Sequence, residues 1–201
     1  MGGCQIVSEF LARREAGFTL FEVVVVLALI AILSAVTVLS MAFYIPNLRL
    51  KSTAQDINIQ IQRARIEAIR RSGTVAVRFF ATDLSGAQKY GPIIWVDENY
   101  DSSDAAHPLL EAGEEVLFRM PVTEVSANIW ELTDTQEVRF NHDKDGNGLT
   151  DADPDGVTFT ANNFVLNSRG ISNKAGSIHL VNTRARTKEV MLTLGGAVRV
   201  Y

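Results

Sequence analysis

The longest apolar segment of the chain lies near its N-terminus and predicts a membrane-spanning helix. From Val23 to Ile45 there are 23 residues without a charge, and the acid Glu22 stands directly before them. A helix of that length is about 34 Å long, enough to cross a hydrocarbon core of about 30 Å. The run is too long for a secretory signal, has no small-residue cleavage site after it, and fits a buried core helix poorly. We therefore expect residues 18–45 to form a transmembrane helix.

The pattern changes at Pro46, which should kink or interrupt the helix where it leaves the membrane. Apolar residues then recur every three or four positions as far as Arg71, the spacing of one face of a helix. Gly73 is suited to end such a helix. We expect residues 46–73 to continue the helix, with an apolar stripe that packs on the domain that follows. The stripe consists of Ala54, Ile57, Ile61, Ala64 and Ala68.

From Thr74 onward, short β-rich runs alternate with turn residues. Runs such as TVAVRFFA, GPIIWVD and SIHLV are separated by Gly, Pro, Asn and Asp. Many strands at short spacing favour antiparallel sheets packed face to face. The sequence therefore predicts an α+β protein, in which a long N-terminal helix is followed by an antiparallel two-sheet β domain at residues 74–201.

The composition suits one globular domain attached to one hydrophobic segment. The chain has 201 residues, 47% of them apolar and 21% charged, with a net charge of −4, which excludes a disordered chain. The only cysteine, Cys4, can form no internal disulfide bond, so the fold depends on its core. The 3 histidines lack metal-pair spacing and no catalytic motif is present, so an enzyme is not expected.

The residues around Glu22 carry a processing motif. The stretch AGFTLFE, from Ala16 to Glu22, resembles the processing site of type IV prepilins and type II secretion pseudopilins. In that family a short basic leader ends in Gly, a Phe follows, and a Glu stands at the fifth position of the mature chain. The resemblance implies a leader peptide at residues 1–17, cleavage between Gly17 and Phe18 by a prepilin peptidase, and N-methylation of Phe18.

Glu22 needs an explanation, because a carboxylate inside a membrane segment costs on the order of 3 kcal/mol. It could be an edge residue that reaches the lipid headgroups. The other explanation follows from the resemblance. Cleavage would create an amine at Phe18, and Glu22 of one subunit could neutralise the amine of a neighbour in a filament of bundled helices. Such a buried pair would fix the axial register, so we expect Glu22 to act in assembly.

The C-terminal part resembles the H-type minor pseudopilins of type II secretion systems and the related T/U-type minor fimbrial pilins. Their endings share a G-R-G…G-x-I…G-R-V-R pattern, matched here by Arg169–Gly170, Gly176–Ile178 and Arg199–Val200. Ser168 and Ala197 depart from it, where the family often has Gly and Arg. The resemblance implies a structural subunit of the pseudopilus that acts in its assembly or at its tip and in protein export. The alternative is a minor pilin of a type IV pilus, serving adhesion or DNA uptake.

The same resemblances imply the surroundings of the protein. Expected partners are the prepilin peptidase, other pseudopilins or pilins, an inner-membrane assembly platform and membrane lipid. The chain would cross the inner membrane once, with its N-terminus in the cytoplasm and its C-terminal domain in the periplasm. Charge counting favours the opposite orientation, because more basic residues follow the apolar run than precede it.

The acidic stretch NHDKDGNGLTDADPDG, residues 141–156, has the spacing of cation ligands. Oxygen-bearing side chains at every second position, with a Gly to turn the chain, can wrap a hard cation such as Ca²⁺. A Pro stands where an EF-hand has its bidentate Glu, so the pattern is closer to short Asp-rich calcium loops. The alternative is a solvated turn. The candidate calcium ligands are Asp143, Asp145, Asn147, Asp151 and Asp153.

Basic residues are concentrated near the C-terminal end. The last 33 residues contain six Lys and Arg against the single acid Glu189, a net charge of +5. Such a segment could contact nucleic-acid phosphates, and its affinity would then fall steeply with salt. Basic loops are also often merely solvated, so DNA binding is kept only as an alternative. Its candidate residues are Arg184, Arg186, Lys188 and Arg199.

Overall fold

The computed structural model describes residues 18–82, 88–101, 110–126, 129–134, 137–140 and 156–201. The chain divides into two compact units, Met1–Phe43 and Tyr44–Tyr201; the second is called the C-terminal unit below. The described elements are α1 Leu20–Arg71, β1 Thr74–Arg78, β2 Ala81–Thr82, β3 Lys89–Asp97, β4 Val116–Ser126, β5 Ile129–Leu132, β6 Val138–Phe140, β7 Asn163–Leu166, β8 Gly176–Asn182, β9 Thr187–Leu192 and β10 Val198–Val200, with a 3-10 turn at Thr160–Asn162 before β7.

Helix α1 continues through Pro46, where the sequence predicted a kink or an interruption. The helix is not interrupted, and Pro46 is buried. A proline removes one backbone donor from the helical ladder, and the burial of Pro46 and Leu50 in the C-terminal unit offsets that loss. Packing therefore overrides the local preference of the proline.

The helix ends at Arg71 in a Schellman motif. The Gly73 N–H donates to the Ala68 carbonyl at 3.1 Å, and the Ser72 N–H donates to the Ile69 carbonyl at 3.2 Å. Gly73 thus takes part in the end of the helix, as the sequence indicated. The left-handed position, however, is occupied by Ser72, with a φ of 51°.

The apolar stripe of α1 packs on one face of the sheet, as expected. Ala54, Ile57, Ile61, Ala64 and Ala68 are all buried, together with alternate residues of the strands that face them. Successive residues of a strand point to opposite faces, so every second strand residue faces the helix. The strand residues of this core include Val75, Val77, Val138, Phe140, Phe164, Leu166, Ile178, Leu180, Val190 and Leu192.

The described strands form one antiparallel sheet, with the order β10-β9-β8-β6-β5-β4-β3-β1-β7 and with β2 beside β3. The α+β class is confirmed, but the split into two sheets is not observed among these strands. An amphipathic helix can supply the second layer that a sheet needs on its apolar face, and α1 does so here. On the opposite face, a smaller cluster of Ala76, Ile93, Trp95 and Val165 is buried.

Two turns meet beside α1 in the C-terminal unit. The Arg65 Nη1 donates to the carbonyl of Gly196 at 3.2 Å. Gly170 and Gly196 both have a positive φ, of 69° and 74°. A Cβ on Gly196 would lie 2.2 Å from the Gly170 oxygen, and one on Gly170 would lie 2.8 Å from the Arg65 Cγ. Both positions favour glycine because of their positive φ, and at Gly196 a Cβ would in addition collide with the backbone of the other turn.

Candidate functional site

The start of α1 positions the two residues of the predicted processing and assembly site that the structure describes, Phe18 and Glu22. Thr19 caps the helix: its Oγ1 accepts a hydrogen bond from the Glu22 N–H at 3.2 Å, and its carbonyl accepts one from the Val23 N–H at 3.2 Å. Glu22 therefore lies in the first turn, where a helix dipole favours an acid. Gly17, the residue before the expected cleavage, lies outside the described residues.

Nothing in the described part of the chain neutralises the Glu22 carboxylate. Its backbone N–H is bonded to Thr19, but the carboxylate forms no hydrogen bond or ion pair there. The side chains around it are apolar and exposed, with Phe18 at 82% and Phe21 at 76%. A lone carboxylate is thus presented beside the residue at which processing would create an amine.

The first part of α1, which includes Glu22, is long and apolar enough to cross a membrane. Leu20–Thr37 has a mean hydropathy of 2.7, and none of it is buried within the structure. Its hydroxyl side chains bond to their own helix, since Ser34 and Thr37 donate to the carbonyls four residues earlier at 2.7 and 2.9 Å. These bonds satisfy the hydroxyl donors without water, as an apolar environment requires.

In the C-terminal unit, the side of α1 opposite the core carries several exposed apolar residues. Leu48, Ile59, Ile66 and Ile69 are exposed and form what we call the exposed stripe. At about 100° per residue, Ile59 lies about 200° around the helix from the buried Ile57, on the opposite side. Ile66, seven residues further and 64% exposed, lies on the same face as Ile59. One face of the helix is therefore used for the core, and the described residues leave these apolar side chains on the other face exposed.

The end of α1 is tied to the sheet by charges. Arg71 binds Glu115 with two hydrogen bonds, of 2.7 and 3.0 Å, and also donates to Glu67. Glu67 accepts from Arg70 at 2.9 Å. The bonds from Arg70 and Arg71 lower the pKa of Glu67 from 4.5 to about 2, and the bond from Arg71 lowers the pKa of Glu115.

The predicted DNA-binding residues are divided between different surfaces. Arg184 and Arg186 lie in the turn between β8 and β9 and are exposed. In the ladder of β9 and β10, Arg199 lies opposite the exposed Met191, on the face away from α1. Lys188 is two residues from the buried Val190 and therefore shares the core-facing side. The structure does not bring Lys188 and Arg199 onto one face.

Lys174, another of the C-terminal basic residues, is used inside the fold. Its Nζ donates to the Thr160 carbonyl at 2.7 Å and to the Asn163 Oδ1 at 2.6 Å. Burial lowers the pKa of Lys174. This side chain holds two neighbouring segments together, so part of the charge excess near the C-terminus has a structural role.

The predicted calcium ligands, Asp143, Asp145, Asn147, Asp151 and Asp153, lie outside the described residues. Within the described ranges, no group of three or more His, Cys, Asp or Glu side chains is arranged to hold a metal ion. The calcium site therefore stays a prediction.

A buried polar cluster on the outer face of the sheet was not found from the sequence. The Ser177 Oγ lies 2.9 Å from the His179 Nε2, and the same nitrogen lies 3.9 Å from the Glu189 Oε1. In a catalytic triad the acid and the nucleophile contact different ring nitrogens, so this arrangement cannot relay a proton in that way. Its signal in the sequence is a pair of polar residues two positions apart in the apolar run SIHLV.

Two family models match the chain. The one described as prokaryotic N-terminal methylation motif matches residues 12–38, which include Gly17, Phe18 and Glu22. The one described as type II transport protein GspH matches residues 53–196, well over half of the chain. These matches confirm the resemblances seen in the processing motif and in the C-terminal part. No curated protein and no solved structure matches the chain.

Proposed function

Because the chain belongs to the type II transport protein GspH family and is a minor pseudopilin of the type II secretion system, we propose that it works by assembly through α1. The family is structural, and prepilin processing and assembly with other pseudopilins follow from the motif and the family.

The first step is processing at the start of α1. A prepilin peptidase would cut between Gly17 and Phe18, and the new amine of Phe18 would be methylated. The match of residues 12–38 to the methylation motif supports this assignment. The mature chain would then begin one turn before Glu22, with a cationic amine and a carboxylate close together at the edge of the membrane.

The second step is pairing between subunits, and one observation carries it: the Glu22 carboxylate has no partner among the described residues and lies on an exposed apolar helix start. In a bundle of such helices, Glu22 would accept the Phe18 amine of a neighbouring subunit. Removing one partner of a buried ion pair leaves an uncompensated charge and typically costs about 3–5 kcal/mol. The pair would therefore favour one axial register over all others.

The third step is helix packing beyond the membrane. The exposed stripe of Leu48, Ile59, Ile66 and Ile69 would pack against the helices of neighbouring subunits. The helix would cross the inner membrane once, with the N-terminus cytoplasmic and the C-terminal unit periplasmic. We place the subunit near the tip of the pseudopilus, in contact with the inner-membrane assembly platform during its insertion.

The test is a Glu22→Gln variant in cells that carry the rest of the secretion system, with Glu98→Gln as the matched control. Glu98 is also an exposed acid but lies in the turn after β3. Both variants should be cut and methylated at Phe18, as mass spectrometry of the N-terminus would establish. Only Glu22→Gln should reduce co-purification of other pseudopilins, by at least about ten-fold given the cost of an unpaired buried amine. Equal co-purification of the two variants would refute the pairing.

A further inference from the structure

The two edges of the sheet differ in whether the chain covers them. At the β7 edge, Ser172 bridges to Leu166. Asn173 Oδ1 accepts from the Val165 N–H at 2.8 Å, and the Asn173 N–H donates to the Val165 carbonyl at 3.0 Å. At the other edge, β10 ends the order of strands, and no described strand lies beyond it. Ser172 and Asn173 thus cover the β7 edge, whereas no described strand covers the β10 edge.

The register of β10 shows which of its backbone N–H and C=O groups form no hydrogen bond to β9. Tyr201 and Glu189 exchange two hydrogen bonds, of 2.9 and 3.3 Å, and the Thr193 N–H donates to the Ala197 carbonyl at 3.0 Å. Hydrogen-bonded pairs alternate along an antiparallel ladder, so Arg199 is the residue of β10 that bonds to β9. The N–H and C=O groups of Val198 and Val200 therefore point away from β9, with no partner in the described part of the chain.

The side chains of this edge differ between its two faces. Val198 and Val200 are partly buried against the main core. On the outer face, Arg199 is exposed next to Met191, with Tyr201, which is 55% exposed, at the end of the same edge. Arg199 forms no ion pair within the described residues. Tyr, Met and Arg are the residue types enriched in protein interfaces.

We propose that the open edge of β10 binds an extended strand of a different pseudopilin subunit, a proposal that rests on the assembly function given above. The backbone groups of Val198 and Val200 select an extended strand, since no other structure matches their spacing. The partner strand would place apolar residues on the core-facing side, beside Val198 and Val200. It would place an acid on the outer face, near Arg199.

A second copy of this chain is a poorer occupant of the same edge. Two β10 strands paired antiparallel through Val198 and Val200 would be centred on Arg199. Each Arg199 would then lie directly opposite its copy, and like charges in that position destabilise a sheet. The edge therefore favours a strand from a different subunit with the opposite charge.

The experiment is photo-cross-linking in cells that carry the complete secretion system, with p-benzoylphenylalanine in place of Tyr201 of the full chain. The expected adduct joins this position to an acidic, β-forming segment of another pseudopilin. Val200→Pro removes an outward N–H but no bond to β9, a change that edge strands tolerate. It should lower the adduct yield by at least about five-fold, whereas Val200→Ala, which keeps the N–H, should leave most of the yield.

Arg199→Glu provides a test that leaves the backbone unchanged and should also lower the yield, because it repels an acidic strand. The same p-benzoylphenylalanine probe in place of Ile66, on the exposed stripe, distinguishes the strand pairing at β10 from the assembly through α1. Adducts from Ile66 but none from Tyr201 would refute the strand pairing and leave the assembly function standing. A Tyr201 adduct unaffected by Val200→Pro and Arg199→Glu, or formed only with a second copy of the chain or with lipid, would also overturn the proposal.

Discussion

Replacing Gly196 by alanine should destabilise the C-terminal unit through a collision between two turns. The new Cβ would lie 2.2 Å from the Gly170 carbonyl oxygen, so one of the two backbones must move. Gly196 also has a φ of 74°, and holding alanine in the left-handed region costs about 1–2 kcal/mol. Movement of the turn would break the bond from Arg65 to the Gly196 carbonyl, and a hydrogen bond to a charged group contributes about 1.5–3 kcal/mol. We expect a total loss of about 3–5 kcal/mol.

Two other glycines separate the cost of the strained backbone from the cost of the collision between the two turns. Gly113 has a φ of 102° but nothing within 4 Å of a new Cβ, so Gly113→Ala should cost the strain alone, about 1–2 kcal/mol. Gly195 neighbours Gly196 in the chain, yet its new Cβ would have only Thr193 Oγ1, at 3.9 Å, as a neighbour. Gly195→Ala should therefore change the stability little, within about 0.5 kcal/mol.

The assay is thermal unfolding of the purified full-length chain in detergent micelles, followed by the fluorescence of the buried Trp95 and Trp130. For a unit of this size, each kcal/mol lowers the melting midpoint by about 2–4 °C, so Gly196→Ala should lower it by about 10 °C. Gly113→Ala should lower it by about 4 °C. If Gly196→Ala were no more destabilising than Gly113→Ala, the close approach of the two turns would be wrong.

Two further predictions concern acid and calcium. Because the pKa of Glu67 is lowered from 4.5 to about 2, its contribution to stability is complete above pH 4.5 and is lost as the pH falls towards 2. Glu67→Gln should accordingly make the melting midpoint less dependent on pH between 4.5 and 2. Near pH 7 it should leave the pH dependence of the midpoint unchanged, as a pH series of melts would show. If residues 141–156 bind Ca²⁺, millimolar calcium should raise the melting midpoint above its value in chelator. The double variant Asp143→Asn/Asp145→Asn should abolish this shift. Equal midpoints with calcium and with chelator in the unaltered chain would exclude the site.

The sequence predicted the structure correctly where a periodic pattern of apolar residues packs on a single apolar surface. The spacing of Ile57, Ile61 and their neighbours predicted the buried face of α1, because one helix on one apolar surface has only one way to bury that face. The number of sheets could not be predicted in the same way. Strand-like runs give the strands but not their neighbours. Here β6 pairs with β8, whereas β7, which comes between them in the chain, pairs with β1.

Local conformations set by hydrogen bonds were harder to predict. Gly73 marked the end of α1 correctly, but the backbone bonds of the Schellman motif place the left-handed residue one position earlier, at Ser72. In the same way, Gly170 was noticed as part of a family pattern. The reason for it is visible only once the turn containing Gly196 is placed against it.

The charge excess near the C-terminus illustrates what composition alone leaves open. Six basic residues in 33 suggested one positive surface. The alternation of β9 and β10 instead separates Lys188 from Arg199, and Lys174 is bound within the fold. A net charge counts residues, whereas a binding surface depends on which side of the sheet each residue occupies.

The hydroxyl groups of Ser34, Thr37 and Ser40 affect how α1 can change its surroundings. Each donates its hydrogen to the carbonyl four residues earlier, so the side of the helix that carries them presents no unsatisfied donor. A subunit that leaves the lipid phase and enters a protein bundle therefore need not break and remake these bonds. For this part of the helix, transfer between the two phases exchanges one apolar neighbour for another. The difference in solvation free energy that opposes extraction from the membrane is correspondingly small.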